Sequence, residues 1–153
     1  MEIREATPSD VNAIAQLIAT LAKKFIVHEF TDAGKDQFLG SNSAEKILEF
    51  MGQGFEYHIA EDNGEVIGVV GIRENSHLYH LFVSESYQGC GLARKLWEVA
   101  KAKCLSKGNP GRFTVNSSNN AVPVYESFGF KKTTGVVEKN GVLFNPMVLD
   151  DHS

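Results

Sequence analysis

"YQGCGLAR", residues 87–94, directly follows "HLYHLFVSES", residues 77–86, and leads into "KLWEVAKAKC", residues 95–104. The first run reads as a strand and the last as a helix, so the glycines sit at the turn between them. Glycine lets backbone amides turn inward and lets a ligand approach the main chain. A helix N-terminus adds unpaired N–H groups with partial positive charge. Strand, glycine turn and helix together read as an anion cradle, most often for phosphate. A bare Gly-x-Gly is also what a plain tight turn looks like, so the rest of the chain has to decide.

Working outward, "HLYHLFV", the helix over 91–107 and "RFTVN" at 112–116 form a βαβ unit, which predicts parallel strands and a right-handed crossover. Upstream, "YHIAEDNGEVIGVVGI" places two β-rich runs about Asp62-Asn63-Gly64, a hairpin signal. Downstream, Asn140-Gly141 marks a second hairpin, and "AVPVYESF" before Gly129 is a short helix, with Asn119 or Asn120 as its cap. At the start, a strand over 2–6 precedes a helix opened by Thr7, Pro8 and Asp10, with Val11, Ile14, Ile18, Leu21 and Phe25 at helical spacing. Residues 27–42 look irregular, and a second helix starts at Ser43 on Ile47, Leu48 and Met51. The helix after the glycine turn, the third, has Leu92, Leu96, Val99, Ala100 and Cys104 on its apolar face.

This order, β-α-α-β-β-β-α-β-α-β-β, predicts an α/β fold with a mixed, mostly antiparallel sheet flanked by helices. It excludes a doubly wound dinucleotide fold, whose glycines belong tightly after the first strand with an acid about 20 residues on. At 153 residues the expectation is one domain spanning 1–153. The polar start "MEIREATPSD", the absence of a long apolar run and the presence of only Cys90 and Cys104 point to a cytoplasmic protein without a disulfide framework or a metal centre. A net charge of -4 disfavours nucleic acid as a partner and suits a small cationic substrate better.

Two stretches then resemble one family. "LFVSESYQGCGLA" is similar to the Q/R-x-x-G-x-G/A motif of the GNAT superfamily of acetyl-CoA-dependent N-acetyltransferases, with Gln88, Gly91 and Ala93 in the motif positions. "NSSNNAVPVYESFGF" resembles its second signature, a short helix with an exposed Tyr before Gly-Phe, here Tyr125, Gly129 and Phe130. The resemblance implies a sheet splayed between its fourth and fifth strands, with the pantetheine arm of the coenzyme pairing with the exposed edge of Leu81, Phe82 and Val83. It places the pyrophosphate on Gln88, Gly89, Cys90, Gly91, Leu92, Ala93 and Arg94. Val83 becomes the amide donor to the thioester carbonyl, and Tyr125 the hydroxyl near the coenzyme sulfur.

Other positions depart from the family pattern. Ser118 stands where many members have an Asn that contacts the coenzyme, with Asn116, Asn119 and Asn120 nearby, and Asn119 is carried forward as the candidate. His77 stands where histone-acetylating members carry a basic Glu, and an imidazole titrating near neutrality is the best candidate for a general base. His80 is expected on the opposite face by strand alternation. On the acceptor side, Glu29, Phe30 and Asp32 are expected to border the amine, with an acidic wall drawing in a protonated group and the interleaved aromatics Phe25, Phe30 and Phe38 suiting an amine with an apolar body. The implied reaction moves an acetyl group to a primary amine of a small molecule or peptide by direct attack in a ternary complex, in a monomer or homodimer. The alternative is an acyl-CoA-binding regulatory module of the same fold without turnover.

Overall fold

The computed structural model describes residues 1–151. The strand β1 (Glu2–Glu5) runs through a single 3-10 turn at Pro8–Asp10 into α1 (Val11–Phe25). Asp10 fixes that entry, since its carboxylate accepts from the Thr7 backbone N–H at 2.7 Å and from both arms of the Arg4 guanidinium at 3.0 Å. Arg4 also reaches Glu61 at 2.9 Å, which ties the helix start to the sheet. With Arg4 beside it, the Asp10 carboxyl is held below the usual carboxylate range.

Then follow α2 (Asp32–Ser41), α3 (Ala44–Gly52), β2 (Glu56–Asp62), β3 (Glu65–Arg73), β4 (His77–Val83) and α4 (Leu92–Ser106). The chain closes with β5 (Arg112–Ser117), α5 (Val122–Ser127), β6 (Lys131–Lys132), β7 (Val137–Lys139) and β8 (Val142–Asp150). Several elements differ from the sequence expectation. The segment expected to be irregular carries α2, whose N-cap is Thr31, with its side chain accepting from Gly34 N–H at 3.0 Å. The cap of α5 is Ala121 rather than Asn119 or Asn120. Leu48 and Val99, assigned to helix core faces, are 47% and 36% exposed, while Trp97 joins the buried face of α4. The two residues of β6 form an additional edge strand on β8.

The sheet order is β1-β2-β3-β4-β5-β8-β6, with β7 paired to β8, and all pairs are antiparallel except β4 with β5. On one face α4 packs Leu92, Leu96, Trp97, Ala100 and Cys104 against Val70, Ile72, Leu78 and Phe113. Trp97 meets Phe113 edge-on at 5.0 Å between ring centroids, the favoured aromatic geometry. On the other face Ile14, Ile18 and Ile47 from α1 and α3 cover Tyr57, Ile59 and Val69. Two irregularities in β4 position the site. Its parallel pairing with β5 covers only His77↔Thr114 and Leu78↔Val115, after which the two strands part. Against β3, Gly71 pairs with His80 and Ile72 with Leu78, so Tyr79 is an extra, bulged residue.

Candidate active site

The gap between β4 and β5 opens on a cavity of about 910 Å³ that runs from the start of α4 to the α1–α2 segment and the β7–β8 hairpin. At its α4 end, Gly89 and Gly91 hold φ of +79° and +84°, values that L side chains rarely adopt. A Cβ at either would meet nothing within 4 Å, so backbone conformation rather than crowding demands glycine there. Gly91 is the N-cap of α4, and Lys95 N–H makes the first helical bond, to the Gly91 carbonyl at 3.1 Å. No side chain caps this helix, in contrast to α2 and α3, which carry Thr31 and Ser43. The amides of Leu92, Ala93 and Arg94 thus have no intrahelical acceptor, the arrangement that suits a phosphate.

Gln88, Gly89, Gly91, Leu92, Ala93 and Arg94 all line this end, whereas Cys90 is exposed outside it, its thiol donating to the Tyr87 carbonyl at 2.8 Å. The Arg94 guanidinium leans on α5, donating to the Ser127 carbonyl at 3.1 Å and lying 5.1 Å from the Phe128 ring centroid. Beyond the cradle, Leu81, Phe82 and Val83 line the cavity along the parted edge of β4. Ser84 N–H donates to the Ile67 carbonyl at 2.8 Å, so alternation turns the Val83 N–H and C=O toward the open edge. There the Gln88 side chain already donates to the Val83 carbonyl at 3.0 Å and fixes the turn. The Val83 N–H is the donor left facing the gap.

Tyr125 enters from α5. It is 6% exposed, not the exposed Tyr expected from the sequence, because Phe128 and Phe130 pack edge-on against its ring. Burial raises its hydroxyl pKa above the ordinary phenol value, so the group is a hydrogen-bond donor throughout the neutral range.

The bulge at Tyr79 overturns the strand alternation expected for the histidines. His77, Tyr79 and His80 are ring neighbours and all three line the cavity. His77 Nδ1 lies 2.7 Å from Thr114 Oγ1 across the parallel pair, and burial with the nearby Arg73 charge lowers its pKa to about 4. An imidazole titrating near neutrality is therefore not what stands at this position. His80 is buried in a chain of hydrogen bonds. Asn42 Nδ2 donates to the Phe38 carbonyl at 2.7 Å, which leaves Asn42 Oδ1 as the acceptor 2.5 Å from His80 Nε2. His80 Nε2 then carries the proton, and Nδ1 accepts from the Tyr57 hydroxyl at 3.0 Å. Burial lowers the His80 pKa to about 3, so the ring stays neutral.

At the far end the hairpin tip meets α2. Thr31 N–H donates to the Gly141 carbonyl at 3.3 Å, and a Cβ on Gly141 would come within 1.9 Å of Thr31 Oγ1. Phe30 lines the cavity as expected, edge-on to Phe38 at 5.7 Å. Glu29 and Asp32 do not: both are exposed, and Glu29 accepts from Asn119 Nδ2 at 2.6 Å. Asn119 in turn accepts from buried Asn145 at 2.8 Å, so it links Glu29 to β8, while Asn116, Ser118 and Asn120 face the cavity. Phe25 and Phe38, named with Phe30 as interleaved aromatics, also line the cavity, whereas sequence reasoning missed Asn42 after α2 and Val142, Leu143 and Phe144 of β8. The Thr31-Asp32 cap signal could have located Asn42 by revealing α2. Among the described residues no group of three His, Cys, Asp or Glu side chains could hold a metal ion, and no helix is long and apolar enough to cross a membrane.

Most of the chain superposes on solved structures of the same architecture. A GCN5-related N-acetyltransferase from Rhodopseudomonas palustris matches with a TM-score of 0.81 at 18% identity, covering 96% of this chain and 93% of that one. PaiA N-acetyltransferase from Thermoplasma acidophilum, solved in complex with coenzyme A, matches at 0.78 and 19% identity over 98% of both chains. At such identities these likenesses concern the fold. Acetyltransferase Atu2258 from Agrobacterium fabrum is 34% identical over 74 residues, 47% of this chain and 54% of that protein, so the match spans about half the length of that relative. The family model for an acetyltransferase (GNAT) domain matches residues 26–150, which takes in the cradle, the parted strands and Tyr125, and the chain belongs to the GNAT acetyltransferase family.

Proposed function

We propose that this chain is an acetyl-CoA-dependent N-acetyltransferase in which a primary amine attacks the thioester directly within a ternary complex. The observation that carries this reading is the parting of β4 and β5 after Leu78 and Val115, into a cavity that connects the uncapped start of α4 with Tyr125 and the far chamber.

Acetyl-CoA supplies a thioester whose carbonyl carbon is the electrophile. The amides of Leu92, Ala93 and Arg94 hold the pyrophosphate, and the open edge of Leu81–Val83 pairs with the amide-bearing arm. Val83 N–H polarises the thioester carbonyl and stabilises the oxyanion that forms when nitrogen attacks. The C–N bond forms, the C–S bond breaks and the sulfur departs as thiolate, while the proton lost from the nitrogen passes to solvent water at the open mouth of the cavity. Tyr125 donates a hydrogen bond to that sulfur. Its raised pKa makes full proton transfer to a thiolate of pKa near 8.5 uphill by more than about 2 kcal/mol, so the thiolate leaves hydrogen-bonded. His77, neutral at working pH and held in place by its hydrogen bond to Thr114, is at about 4 too weak a base to strip an ammonium ion.

Coenzyme A release measured over a panel of amines tests the reading. Amine-dependent thiol release is expected. Tight acetyl-CoA binding with no release for any amine would favour the regulatory module, which keeps the fold without turnover.

A further inference from the structure

The far half of the cavity differs from the acidic chamber that the sequence suggested. It is walled by Leu21, Phe25, Phe30 and Phe38 on one side and Val142 and Phe144 on the other. No Asp or Glu is among the lining residues anywhere in the cavity. The acids of the bordering segment, Glu29, Asp32 and Asp36, are all exposed and off the wall. The titratable and charged groups that do face the space are Tyr79, His77 and His80 from β4, Tyr87 from the preceding turn, Tyr125 from α5, Arg94 from α4 and Lys139 from β7, with Arg73 behind His77. None of these is an anion at neutral pH: burial or a carboxylate neighbour raises the three phenols, and the two imidazoles are neutral.

An ammonium ion entering such a space loses its water, meets no counter-charge and finds Lys139 at the rim. An aromatic or branched aliphatic body, by contrast, exchanges water for phenylalanine faces. Building on the acetyltransferase reading above, we propose that the acceptor is a primary amine on an aromatic or branched aliphatic body with no second positive charge, and that it is taken as the neutral amine. An acid-free wall then does what a strong general base does elsewhere: it selects the nucleophilic protonation state at binding. This accounts for a site in which the only group at the expected base position is a poorly basic imidazole.

The test compares 2-phenylethylamine with spermidine and kanamycin as acceptors, following coenzyme A release, in the wild type and in Gln37→Glu. Gln37 is an exposed lining residue, so this near-isosteric change adds one carboxylate to the wall with little demand on folding. The wild type is expected to favour 2-phenylethylamine by at least about 10-fold in kcat/KM, and Gln37→Glu to shift the ratio toward spermidine several-fold. In the wild type, log kcat/KM should rise with pH to an inflection at the acceptor's own pKa, and a β-fluorinated analogue of lower pKa should move the inflection down with it. A preference for the polycations, an unchanged ratio in Gln37→Glu or one inflection common to both phenylethylamines overturns the inference and leaves the acetyltransferase reading standing. Release with none of the three amines, while acetyl-CoA still binds, overturns both.

Discussion

Acidification should destabilise this protein through His80 well before its carboxylates protonate. In the native state His80 lies between the Tyr57 hydroxyl and Asn42 Oδ1, 4% exposed, with its pKa lowered by burial to about 3. In the unfolded chain the same ring titrates near 6.5. The folded value is depressed, so the contribution to stability is complete above pH 6.5 and is lost as pH falls toward 3. Between pH 7 and pH 5 the unfolded state takes up about three quarters of a proton that the native state refuses, a loss of about 2 kcal/mol from this one group. His77 acts with the same sign down to about 4. The hydrogen bonds explain the refusal: with Nε2–H committed to Asn42, a second proton on Nδ1 would face the Tyr57 hydroxyl, which must then stop donating. Urea unfolding at pH 7, 6 and 5, paired with an NMR titration of the imidazole resonances, measures both quantities. A His80 resonance that titrates between pH 6 and 7 in the folded protein, or stability that is flat over this interval, would refute the reasoning.

Gly91→Glu forces a side chain onto φ +84° and sets a carboxylate at the uncapped start of α4, so acetyl-CoA affinity measured by calorimetry should fall by at least about 100-fold while the fold persists. Tyr125→Phe removes only the donor hydroxyl from a ring held by Phe128 and Phe130; acetyl-CoA affinity should stay within about twofold while kcat drops about 100-fold. Gly141→Ala puts a methyl group 1.9 Å from Thr31 Oγ1 at a residue with φ +81°, which should pry the hairpin from α2, cost about 1–3 kcal/mol in urea unfolding and raise the acceptor KM more than it changes kcat.

What the sequence made legible, and what it hid, follows from the range of the interactions involved. The glycine turn before α4, the Asn63-Gly64 and Asn140-Gly141 hairpins and the βαβ unit are local: positive-φ glycines and asparagines at fixed offsets mark the turns, and these elements appear where expected. The helix α2 was hidden because "DAGKDQFLGS" contains two glycines and only two large apolar residues, so it has no amphipathic stripe and depends on the Thr31 cap and on docking against Gly141. The bulge at Tyr79 depends on the register against β3 and leaves no mark in "HLYHLFV", which is why His80 was assigned to the wrong face. The acids of the α1–α2 segment were read as a wall because composition says nothing of direction. Glu29 turns to Asn119, ninety positions away in the chain, and the wall itself comes from the aromatics interleaved with those acids and from the apolar run Val142–Phe144, which the sequence left unmarked.

The central claim, direct transfer from acetyl-CoA to an amine on the open β4 edge, is tested most directly by intact-protein mass spectrometry combined with quantification of coenzyme A. Protein mixed with acetyl-CoA alone should keep its mass and release no coenzyme A, and addition of 2-phenylethylamine should then release one coenzyme A for each amide formed. A protein heavier by one acetyl group before the amine is added, with Cys90 as the accessible thiol, or coenzyme A release that does not depend on an amine, would contradict it.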